Sequence, residues 1–524
     1  MTTQTPTSDA PGPLDLAALN RLAGALFAEV AGAPATASPS GAAPRPAAPP
    51  LTRPDDPTVA QSFGLPGQAE LQALVAELAP RHRAALPGAA HEPFYFVRPE
   101  LVEAHAQRAG APQLQPRAVP GGFDVDAVRR DFPILQERVK GKPLVWLDNA
   151  ATTHKPTQVI ERLRYFYEHE NSNIHRAAHE LAARATDAYE GARQTVARFL
   201  GAASAEEIIF VRGATEGINL VAKSWGAKHI GAGDDIIVSQ LEHHANIVPW
   251  QQLAAEKGAR LRVIPVDDSG QVRLDEYRKL LGPRTRLVAV TQVSNALGTI
   301  VPVQEIVALA KAAGARTLVD GAQSISHLPV NVLALGADFF VFSGHKVFAP
   351  TGIGVVYGRR DVLEETPPWQ GGGNMIEDVS FERTIYQGAP ARFEAGTGNI
   401  ADAVGLGAAL DYLQGLGLPN VARYEHDLLD YATERLRGIP GLRLIGTAAR
   451  KTSVISFVLP GHEPADIGRA LDEEGIAVRS GHHCAQPILR RFGVEATVRP
   501  SLAFYNTCAE IDHLAAVVRR VARA

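Results

Sequence analysis

The chain has 524 residues, of which 45% are hydrophobic and 21% charged, and 52 basic against 56 acidic residues give a formal charge of -4. At roughly 150 residues per domain this length allows several domains, and the near-balanced charge gives no reason to expect nucleic acid or an anionic membrane as a partner. Two cysteines exclude a disulfide scaffold, no apolar run is long enough to span a bilayer, and the N-terminus lacks the pattern of a secretion signal, so we expect a cytoplasmic protein.

Residues 1–120 differ in composition from the rest of the chain. Residues 32–60 are dominated by Ala, Pro, Ser and Gly. Because proline removes backbone donors and few large apolar groups offset the chain entropy, this stretch predicts a largely disordered extension. Residues 16–30 and 71–78 carry apolar side chains at helical spacing. Such amphipathic segments are typical of docking peptides that bind a groove, although they could equally fold back onto the main domain.

From residue 121 the pattern becomes that of an α/β protein. Short apolar runs alternate with helical segments, which predicts a mostly parallel sheet covered by helices over residues 121–400. The strand candidates are residues 208–211, 236–238, 287–291, 317–319, 339–342 and 354–357. Residues 401–524 predict a smaller α/β domain. Its expected elements are helices at 402–415, 421–437, 464–474 and 509–523 and a strand at 453–458.

A lysine follows the strand candidate at 339–342, in the sequence Ser343-Gly-His-Lys346. A lysine at a strand end beside small and polar residues suits a Schiff base with an aldehyde cofactor, although an ordinary exposed lysine is the alternative. The neighbouring strand candidate ends in Asp320-Gly-Ala-Gln323. A carboxylate there lies where ligands bind in open α/β sheets. It can keep a pyridinium nitrogen protonated, while Gln323 can donate to a phenolic oxygen.

Three further strand ends carry polar residues. Strand 208–211 leads into Arg-Gly-Ala-Thr215 at a helix start, where free backbone donors favour a phosphate. Strand 236–238 leads to His243, whose ring can stack on a pyridine and exchange protons, and Asn295 follows strand 287–291. A simple helix cap at Thr215 and a structural histidine are the competing interpretations. Because five strand ends carry polar residues along one edge, we expect a single site there.

Cys484 ends the run Arg479-Ser-Gly-His-His-Cys484. The two histidines and the arginine favour its thiolate, which is the reactive form of cysteine. Zinc binding is the alternative, but no second cysteine pair accompanies the run, so no metal is expected. Cys508, beside a helix start, is most simply a buried small hydrophobic residue.

Together these motifs resemble the pyridoxal-phosphate-dependent cysteine desulfurases of the Suf-system type, within the class V aminotransferases, over about residues 122–524. The resemblance rests on Asn171-Ser-Asn-Ile-His175-Arg, Glu242-His-His-Ala-Asn-Ile-Val-Pro-Trp250, Asp320-Gly-Ala-Gln323, Ser343-Gly-His-Lys346, Phe393-Glu-Ala-Gly-Thr397 and Arg479-Ser-Gly-His-His-Cys484. It implies the fold type I of such transferases, with a large domain built on a mostly parallel seven-stranded sheet. The beginning of residues 121–400 would contribute to the smaller C-terminal domain, and the protein would be a homodimer.

The resemblance also implies a role for each motif residue. Pyridoxal phosphate would be bound by Lys346, Asp320, Gln323, His243, Thr215, Ser343 and His345, joined by Thr397 of the neighbouring subunit. The substrate-binding residues would be Asn295 and Arg499, which hold the carboxylate of L-cysteine, with Arg479 and His175. Lys346, His243 and Cys484 would be catalytic: Cys484 would take the substrate sulfur as a persulfide, leave alanine, and pass the sulfur to a dedicated acceptor protein. That sulfur would serve iron–sulfur cluster assembly or storage.

The leader of about 120 residues is absent from ordinary members of this family. It resembles the disordered extensions of desulfurases that are packaged as cargo in bacterial encapsulin nanocompartments. This implies docking of residues 14–30 to an encapsulin shell protein, with a plain disordered tail as the alternative. Gln370 and Gly398 replace the Glu and Pro usual in the family, which leaves the acceptor preference open. A selenocysteine lyase, or a cargo or scaffold protein with secondary catalytic activity, are the competing functions.

Overall fold

The structure is a computed structural model that describes residues 123–175 and 179–523. The extension of residues 1–120, including both amphipathic segments, lies outside the described residues. In the described part of the chain the strands are β1 Arg138–Val139, β2 Lys142–Pro143, β3 Val145–Trp146, β4 Ile208–Val211, β5 Asp235–Ser239, β6 Arg260–Ile264, β7 Thr285–Thr291, β8 Arg316–Asp320, β9 Phe339–Ser343, β10 Gly354–Gly358, β11 Ile376–Val379, β12 Thr384–Tyr386, β13 Arg443–Ile445, β14 Ser456–Val458, β15 Ile476–Ala477, β16 Arg479–Gly481 and β17 Thr497–Arg499. The α-helices longer than a single turn are α1 Val125–Arg129, α2 Thr157–His169, α3 Glu180–Leu200, α4 Ala214–Val221, α5 Val248–Lys257, α6 Leu274–Leu280, α7 Val303–Ala312, α8 Val332–Leu335, α9 Arg360–Glu365, α10 Ile400–Leu416, α11 Leu418–Arg437, α12 Pro464–Asp472, α13 Gln486–Arg491 and α14 Cys508–Val521.

Seven strands form the central sheet, in the spatial order β4-β10-β9-β8-β7-β5-β6. Strands β5 to β9 run parallel to one another, whereas β10 is antiparallel to both of its neighbours. Strands β5, β9 and β10 are buried along their whole length, as expected for strands that helices cover on both faces. The mostly parallel seven-stranded sheet expected from the sequence is therefore confirmed.

One strand of this sheet, β6, was missed by the sequence prediction. Its sequence Arg260-Leu-Arg-Val-Ile264 alternates charged and apolar residues, and only Ile264 is fully buried. Because β6 lies at the edge of the sheet, part of its surface faces water and charged side chains are tolerated there. The apolar runs that mark interior strands are therefore absent from this edge strand.

Helices cover both faces of the central sheet. Alternate residues of β9 show this, because Phe339 and Val341 pack with α4 and α5 whereas Phe340 and Phe342 pack with α3 and α10. This alternation is the period of two that a strand imposes on its side chains. Among the described residues, no helix combines the length and apolar character that crossing a membrane requires.

A second sheet lies in the C-terminal part of the chain, in the order β13-β14-β17-β16 with antiparallel pairing. Helices α11, α12 and α14 pack on it around a separate apolar core. The smaller α/β layer expected from the sequence is thus present, while the domain boundary at residue 400 stays a prediction. The strand predicted at 453–458 begins only at Ser456, because Val454 instead makes an isolated bridge to Ser501.

An early segment of the chain joins this C-terminal layer. Strand β3 pairs in parallel with β15, and Val145 and Leu147 belong to the C-terminal core. The next residue, Asp148, makes an isolated parallel bridge to Ser501, just after β17. This pairing places residues 148–151 beside the carboxyl ends of the central strands.

Candidate active site

A single cleft gathers most of the residues singled out from the sequence. Thr215, His243, Asn295, Asp320, Gln323, Ser343, His345 and Lys346 line it from the strand ends of the central sheet, and Arg479 and Arg499 line it from the C-terminal sheet. The cleft therefore forms where the two layers meet. Its lining also includes His483, which the sequence analysis expected to favour the Cys484 thiolate, and Ala150 and Ala151, to which it assigned no role.

Lys346 ends a short 3-10 turn, Gly344–Lys346, that follows β9 directly. The turn is tightly packed, since a Cβ atom on Gly344 would lie 2.7 Å from Ile353 Cγ2 and 3.0 Å from the Ile353 carbonyl oxygen. Burial lowers the pKa of Lys346 to about 8, and the charges of Arg499 and Arg479 act in the same direction. A substantial fraction of this amine is therefore neutral near physiological pH, and the neutral amine is the nucleophilic form.

Asp320 lies at the end of β8 and is only 4% exposed. Burial raises its pKa, while a 2.9 Å hydrogen bond from the Ala322 N–H and the charge of Lys346 act against that rise. The turn after Asp320 requires glycine, because a Cβ atom on Gly321 would lie 2.0 Å from the Phe340 ring. Gln323 is held by a 2.7 Å hydrogen bond from its Nε2 to the Ala150 carbonyl. These contacts fix both side chains against the cleft.

The start of α4 forms a cradle of backbone and small side chains beside Ser343. Its N-cap, Gly213, provides no side-chain cap, and the Ala214 N–H donates to Ser343 Oγ at 2.9 Å. Added Cβ atoms would fill the cradle, since one on Gly213 would lie 3.1 Å from Ser343 Oγ. Thr215 is exposed at the same turn. A helix start with free donors, two hydroxyls and this much room for backbone approach suits a phosphate.

His345 lies beside this cradle with its backbone fixed. Its carbonyl oxygen accepts hydrogen bonds from the Thr153 N–H at 2.9 Å and from Thr152 Oγ1 at 3.0 Å. Burial and the nearby charges of Lys346 and Lys155 lower the pKa of the ring to about 4. The imidazole is therefore neutral at physiological pH and can donate one hydrogen bond without carrying a charge.

His243 follows β5 and is also neutral. Burial lowers its pKa to about 3, with the charges of Lys346, His244, Arg479 and Arg499 acting in the same direction. Its Nδ1 accepts the Ala245 N–H at 3.0 Å, so the neutral ring carries its proton on Nε2.

The residue before His243, Glu242, is fully buried, and the sequence analysis gave it no role of its own. It accepts hydrogen bonds from Asn246 Nδ2 at 2.7 Å and from the Thr291 N–H at 3.1 Å. Burial raises its pKa to about 8, and Asp320 adds to that effect. The sequence signal that could have drawn attention to Glu242 was its position as the first residue of the motif that ends at Trp250.

Arg499, at the end of β17, is 1% exposed and carries the positive charge deepest in the C-terminal wall of the cleft. Its Nη1 donates to the Asn295 carbonyl at 2.8 Å and its Nη2 to Asp148 Oδ1 at 3.1 Å. Its Nε is buried without a partner, as is Asn295 Oδ1. Asn295 Nδ2 donates to the His483 carbonyl at 2.7 Å. Sequence reasoning missed Asp148, because its contact with Arg499 spans 351 positions of the chain.

Cys484 is half-buried on a tight loop beside the cleft. His483 and Cys484 both have left-handed backbone conformations, with φ of 53° and 55°, which non-glycine residues adopt only when their surroundings hold them. The Cys484 N–H donates to His482 Nδ1 at 3.0 Å, and its carbonyl accepts the His244 N–H at 2.9 Å. The charge of a Cys484 thiolate would reach both Lys346 and Arg499.

The structure corrects two expectations about this part of the sequence. His483 does not supply positive charge to the thiolate, because burial and the charges of Arg499 and Arg479 lower its pKa to about 2. Its Nε2 instead pairs with Thr497 Oγ1 at 2.8 Å, so His483 acts as a structural support for the loop. Cys508 is exposed rather than buried, because it begins helix α14 at the surface.

Three predicted site residues are absent from the lining of the cleft: Cys484, on the loop just described, and His175 and Thr397. His175 is exposed, and its Nε2 lies 3.1 Å from Glu190 Oε1. Thr397 is exposed and lines a separate cavity with Trp369 and Gln370. Their roles, like those of the residues in the cleft, stay predictions.

A buried ionic network supports the segment that carries Thr397. Glu394 accepts from Arg193 Nη1 at 2.7 Å and from the Phe210 N–H at 2.7 Å, and Arg193 is 2% exposed. Arg193 Nε also donates to Glu190 at 2.9 Å. The network therefore joins α3 to both His175, through Glu190, and the segment before Thr397.

Over residues 123–175 and 179–523, no group of three or more His, Cys, Asp or Glu side chains has the arrangement of a metal site. The run that ends at Cys484 is part of these residues. Its histidines instead make the protein contacts described above, with Thr497 and with the Cys484 backbone.

Comparisons with known proteins identify the relatives of this chain. The model of the family "Aminotransferase class-V" matches residues 145–514. The chain is 65% identical over 442 residues to a cysteine desulfurase of Synechococcus elongatus, a match that covers 82% of this chain and 71% of that protein. It is 68% identical over 400 residues to probable cysteine desulfurase 1 of Mycobacterium leprae, covering 76% of this chain and 66% of that one. Among solved structures, the cysteine desulfurase CsdA of Escherichia coli superposes with a TM-score of 0.72 at 39% identity, covering 77% of this chain and 99% of the other.

Proposed function

The chain belongs to the class V aminotransferase family and is a cysteine desulfurase that depends on pyridoxal phosphate, and from this premise we propose that it forms its persulfide on Cys484. The reaction balances as L-cysteine plus the Cys484 thiol giving L-alanine plus the Cys484 persulfide. The observation that carries the proposal is the meeting of two layers in one cleft. The central sheet supplies Lys346 and Asp320 there, and the C-terminal layer supplies Arg499 and the Cys484 loop.

The residues of the cleft fit pyridoxal phosphate. The cradle at Gly213 suits its phosphate, the buried Asp320 suits its ring nitrogen, and the low-pKa amine of Lys346 suits its aldehyde. The cofactor would be held by Lys346, Asp320, Gln323, His243, Thr215, Ser343 and His345, with the partner subunit's Thr397. When bound, it supplies an electron sink for the bond changes at the substrate's Cα and Cβ.

Substrate binding is assigned to Arg499. Arg499 lines the cleft, its guanidinium is fixed by the Asn295 carbonyl, and its buried Nε has no hydrogen-bond partner. A planar guanidinium binds a carboxylate through two parallel hydrogen bonds, so it can both hold and orient the substrate. Asn295, whose Nδ2 keeps a second hydrogen, and Arg479 complete the contacts proposed for L-cysteine.

Proton transfer is assigned to Lys346 and His243. The Lys346 amine, with its pKa lowered to about 8, takes the Cα proton of the bound substrate. The neutral ring of His243 carries its proton on Nε2 and supplies it in the later steps, and the proton that Lys346 took from Cα restores the ring. Burial lowers both pKa values and favours the neutral form of each group, with Lys346 as the base and His243 as the acid.

Sulfur transfer is assigned to Cys484. Its thiolate attacks the substrate sulfur, the S–S bond forms, and the Cβ–S bond breaks with its electron pair moving to Cβ, which takes up a proton. The half-buried Cys484 lies between His483, which lines the cleft, and Ala485, and the nearby His482 is exposed. This position suits delivery of the persulfide to an acceptor protein rather than free release of sulfide.

A homodimer completes the proposed site. Thr397 and His175 are exposed and lie away from the cleft of their own chain. The nearby hairpin β11–β12 exposes the apolar side chains of Val379, Phe381 and Tyr386. A second copy of the chain would cover this surface and receive Thr397 in its cleft. For the extension, we propose docking of residues 14–30 to an encapsulin shell, which rests on the sequence alone.

Alanine release from L-cysteine tests the proposed persulfide. The wild-type protein should release alanine and accumulate reductant-labile sulfur on the protein, and Cys484→Ala should lose both. The exposed Cys508 offers a matched control, since Cys508→Ala should leave both signals unchanged. If alanine release persists in Cys484→Ala, Cys484 is not the sulfur carrier.

A further inference from the structure

Arg499 is a buried cation whose one carboxylate partner belongs to the protein itself. Asp148 Oδ1 accepts a hydrogen bond from Nη2 at 3.1 Å, the Asn295 carbonyl accepts one from Nη1 at 2.8 Å, and Nε is buried without a partner. Asp148 and the Asn295 carbonyl therefore each take one of the five N–H donors of this guanidinium.

The pattern of occupied nitrogens restricts how another carboxylate can bind. A guanidinium makes a two-pronged contact through one of its edges, either Nε with Nη2 or Nη1 with Nη2. Both edges include Nη2, and Asp148 takes one of its two hydrogens. An incoming carboxylate that binds through the unpartnered Nε and Nη2 would therefore lie next to the Asp148 carboxylate, and repulsion between the two negative charges favours release of Asp148.

Asp148 is placed so that it can release this contact. Its side chain is 20% exposed whereas that of Arg499 is 1% exposed, so water can hydrate the released carboxylate but cannot replace the partner of Arg499. A single hydrogen bond joins the two side chains. Burial raises the pKa of Asp148, while the charge and the hydrogen bond of Arg499 act against that rise.

We propose that Asp148 is an exchangeable counterion of Arg499. In the substrate-free cleft it neutralises the arginine, it yields Nη2 to the carboxylate of L-cysteine, and it recovers Nη2 as L-alanine leaves. Asp148 is thus a positioning residue that keeps carboxylate affinity low enough for product release. This inference rests on the proposed role of Arg499 in binding the substrate carboxylate.

Binding of propionate to the full-length, cofactor-loaded protein tests the exchange, because propionate carries the carboxylate but has no amine to react with the cofactor. Its affinity is read from the shift of the thermal unfolding midpoint with propionate concentration, with propionamide as the uncharged control. Asp148→Asn should bind propionate about tenfold more tightly, since the carboxylate no longer competes with a charged partner. Asp148→Glu, which keeps the charge, should stay within about twofold of the wild type.

The same exchange predicts a split in the kinetics. In Asp148→Asn the KM for L-cysteine should fall and inhibition by L-alanine should strengthen by the same factor of about ten. Damage to the structure would weaken binding, so tighter binding separates the exchange from a structural role. The exposed Asp411 on α10, outside the cleft, provides a control, and Asp411→Asn should bind propionate as the wild type does.

The outcomes separate this inference from the proposed function. Unchanged or weaker propionate binding in Asp148→Asn overturns the exchange, as does equal tightening in Asp148→Asn and Asp148→Glu. If Asp148→Asn does not fold, Asp148→Ser carries the same expectation. Arg499→Lys, which loses the two-pronged geometry, should weaken propionate binding about tenfold. If it binds as the wild type does, Arg499 is not the carboxylate site and the proposed function fails at that residue.

Discussion

The backbone N–H of His244 donates to the carbonyl oxygen of Cys484 at 2.9 Å, which joins the end of β5 to the cysteine loop. The side chain makes a second tie, because its Nε2 accepts the Gln486 N–H at 3.4 Å. The ring of His482 lies nearly parallel to that of His244, with 6.0 Å between centroids. The residue that follows His243 therefore holds the position of the cysteine relative to the cofactor cleft.

The first prediction concerns this tie. His244→Ala removes the side-chain contact to Gln486 and should lower alanine release at least about tenfold, because small misplacements of a nucleophile are costly. Cofactor absorbance should stay as in the wild type, since His244 does not line the cleft. His426→Ala, at an exposed helical position, is the matched control and should leave the rate unchanged. Full activity of His244→Ala would show that the backbone bond alone positions Cys484.

The second prediction concerns the pH dependence of cofactor capture. Burial lowers the pKa of Lys346 to about 8, so the rate at which the cofactor-free protein forms its Schiff base should rise with pH and level off above about 8. An ordinary lysine would continue to gain reactivity beyond about pH 10. Arg479→Gln removes a charge that lowers the Lys346 pKa and should move the midpoint to higher pH. Absorbance of the bound cofactor follows the reaction, and a midpoint near 10 in the wild type would contradict the assignment.

The third prediction concerns acid stability. His483 has a pKa of about 2 in the folded protein, because of burial and the charges of Arg499 and Arg479, against about 6.5 in the unfolded chain. The unfolded state therefore binds more protons than the folded state below about pH 6.5. The free energy of unfolding decreases as the pH is lowered through this range. By pH 5 this difference amounts to about 2 kcal/mol for this histidine.

Urea unfolding at pH 7 and pH 5 measures that loss. His483→Asn can keep the hydrogen bond to Thr497 Oγ1 without a titrating ring, so it should lose about 2 kcal/mol less than the wild type between the two pH values. His426→Asn, at its exposed position, should lose as much as the wild type. An unchanged loss in His483→Asn would mean that this ring is already protonated in the folded protein.

The fourth prediction concerns the buried pair of Arg193 and Glu394. Glu394→Gln leaves the arginine short of a buried counterion and should lower the free energy of unfolding by about 3 kcal/mol. The exposed pair of Arg184 and Glu180 offers a matched control on the same helix, and Glu180→Gln should cost less than about 0.5 kcal/mol. Cofactor affinity should also fall in Glu394→Gln, because the pair supports the segment before Thr397. Equal stability of the two variants would show that Glu190 alone neutralises Arg193.

The sequence predicted those parts of the fold whose signal is local. Strands such as β9 are continuous apolar runs. Asp320 and Lys346 lie at the ends of two such runs, so the pattern predicted their positions at the edge of the sheet. The edge strand β6 carried no such run, since its exposed positions accept arginine. Local patterns thus predicted the interior strands and the residues at their carboxyl ends, but not the edge strand β6.

The missed site residues depend on contacts between distant parts of the chain. Nothing near Asp148 indicates Arg499, because their contact follows from the bridge of Asp148 to Ser501, just after β17. His483 was expected to favour the thiolate of Cys484. Its ring is instead buried and paired with Thr497 Oγ1. Such environments arise only when the two layers assemble, so they cannot be derived from residue type and spacing.

The pairing of β3 with β15 also has a consequence for biosynthesis. Strand β3 is synthesised before the central sheet, and its partner β15 is synthesised after it. Val145 of β3 lies opposite Ile476 of β15. Contacts of such long sequence separation form slowly, and they cannot form on the ribosome until almost the whole chain has emerged. The parallel sheet can assemble earlier, whereas the junction of Asp148 with Arg499 closes last. A truncated or stalled product would therefore hold the lysine side of the cleft without the arginine and cysteine that make it a desulfurase.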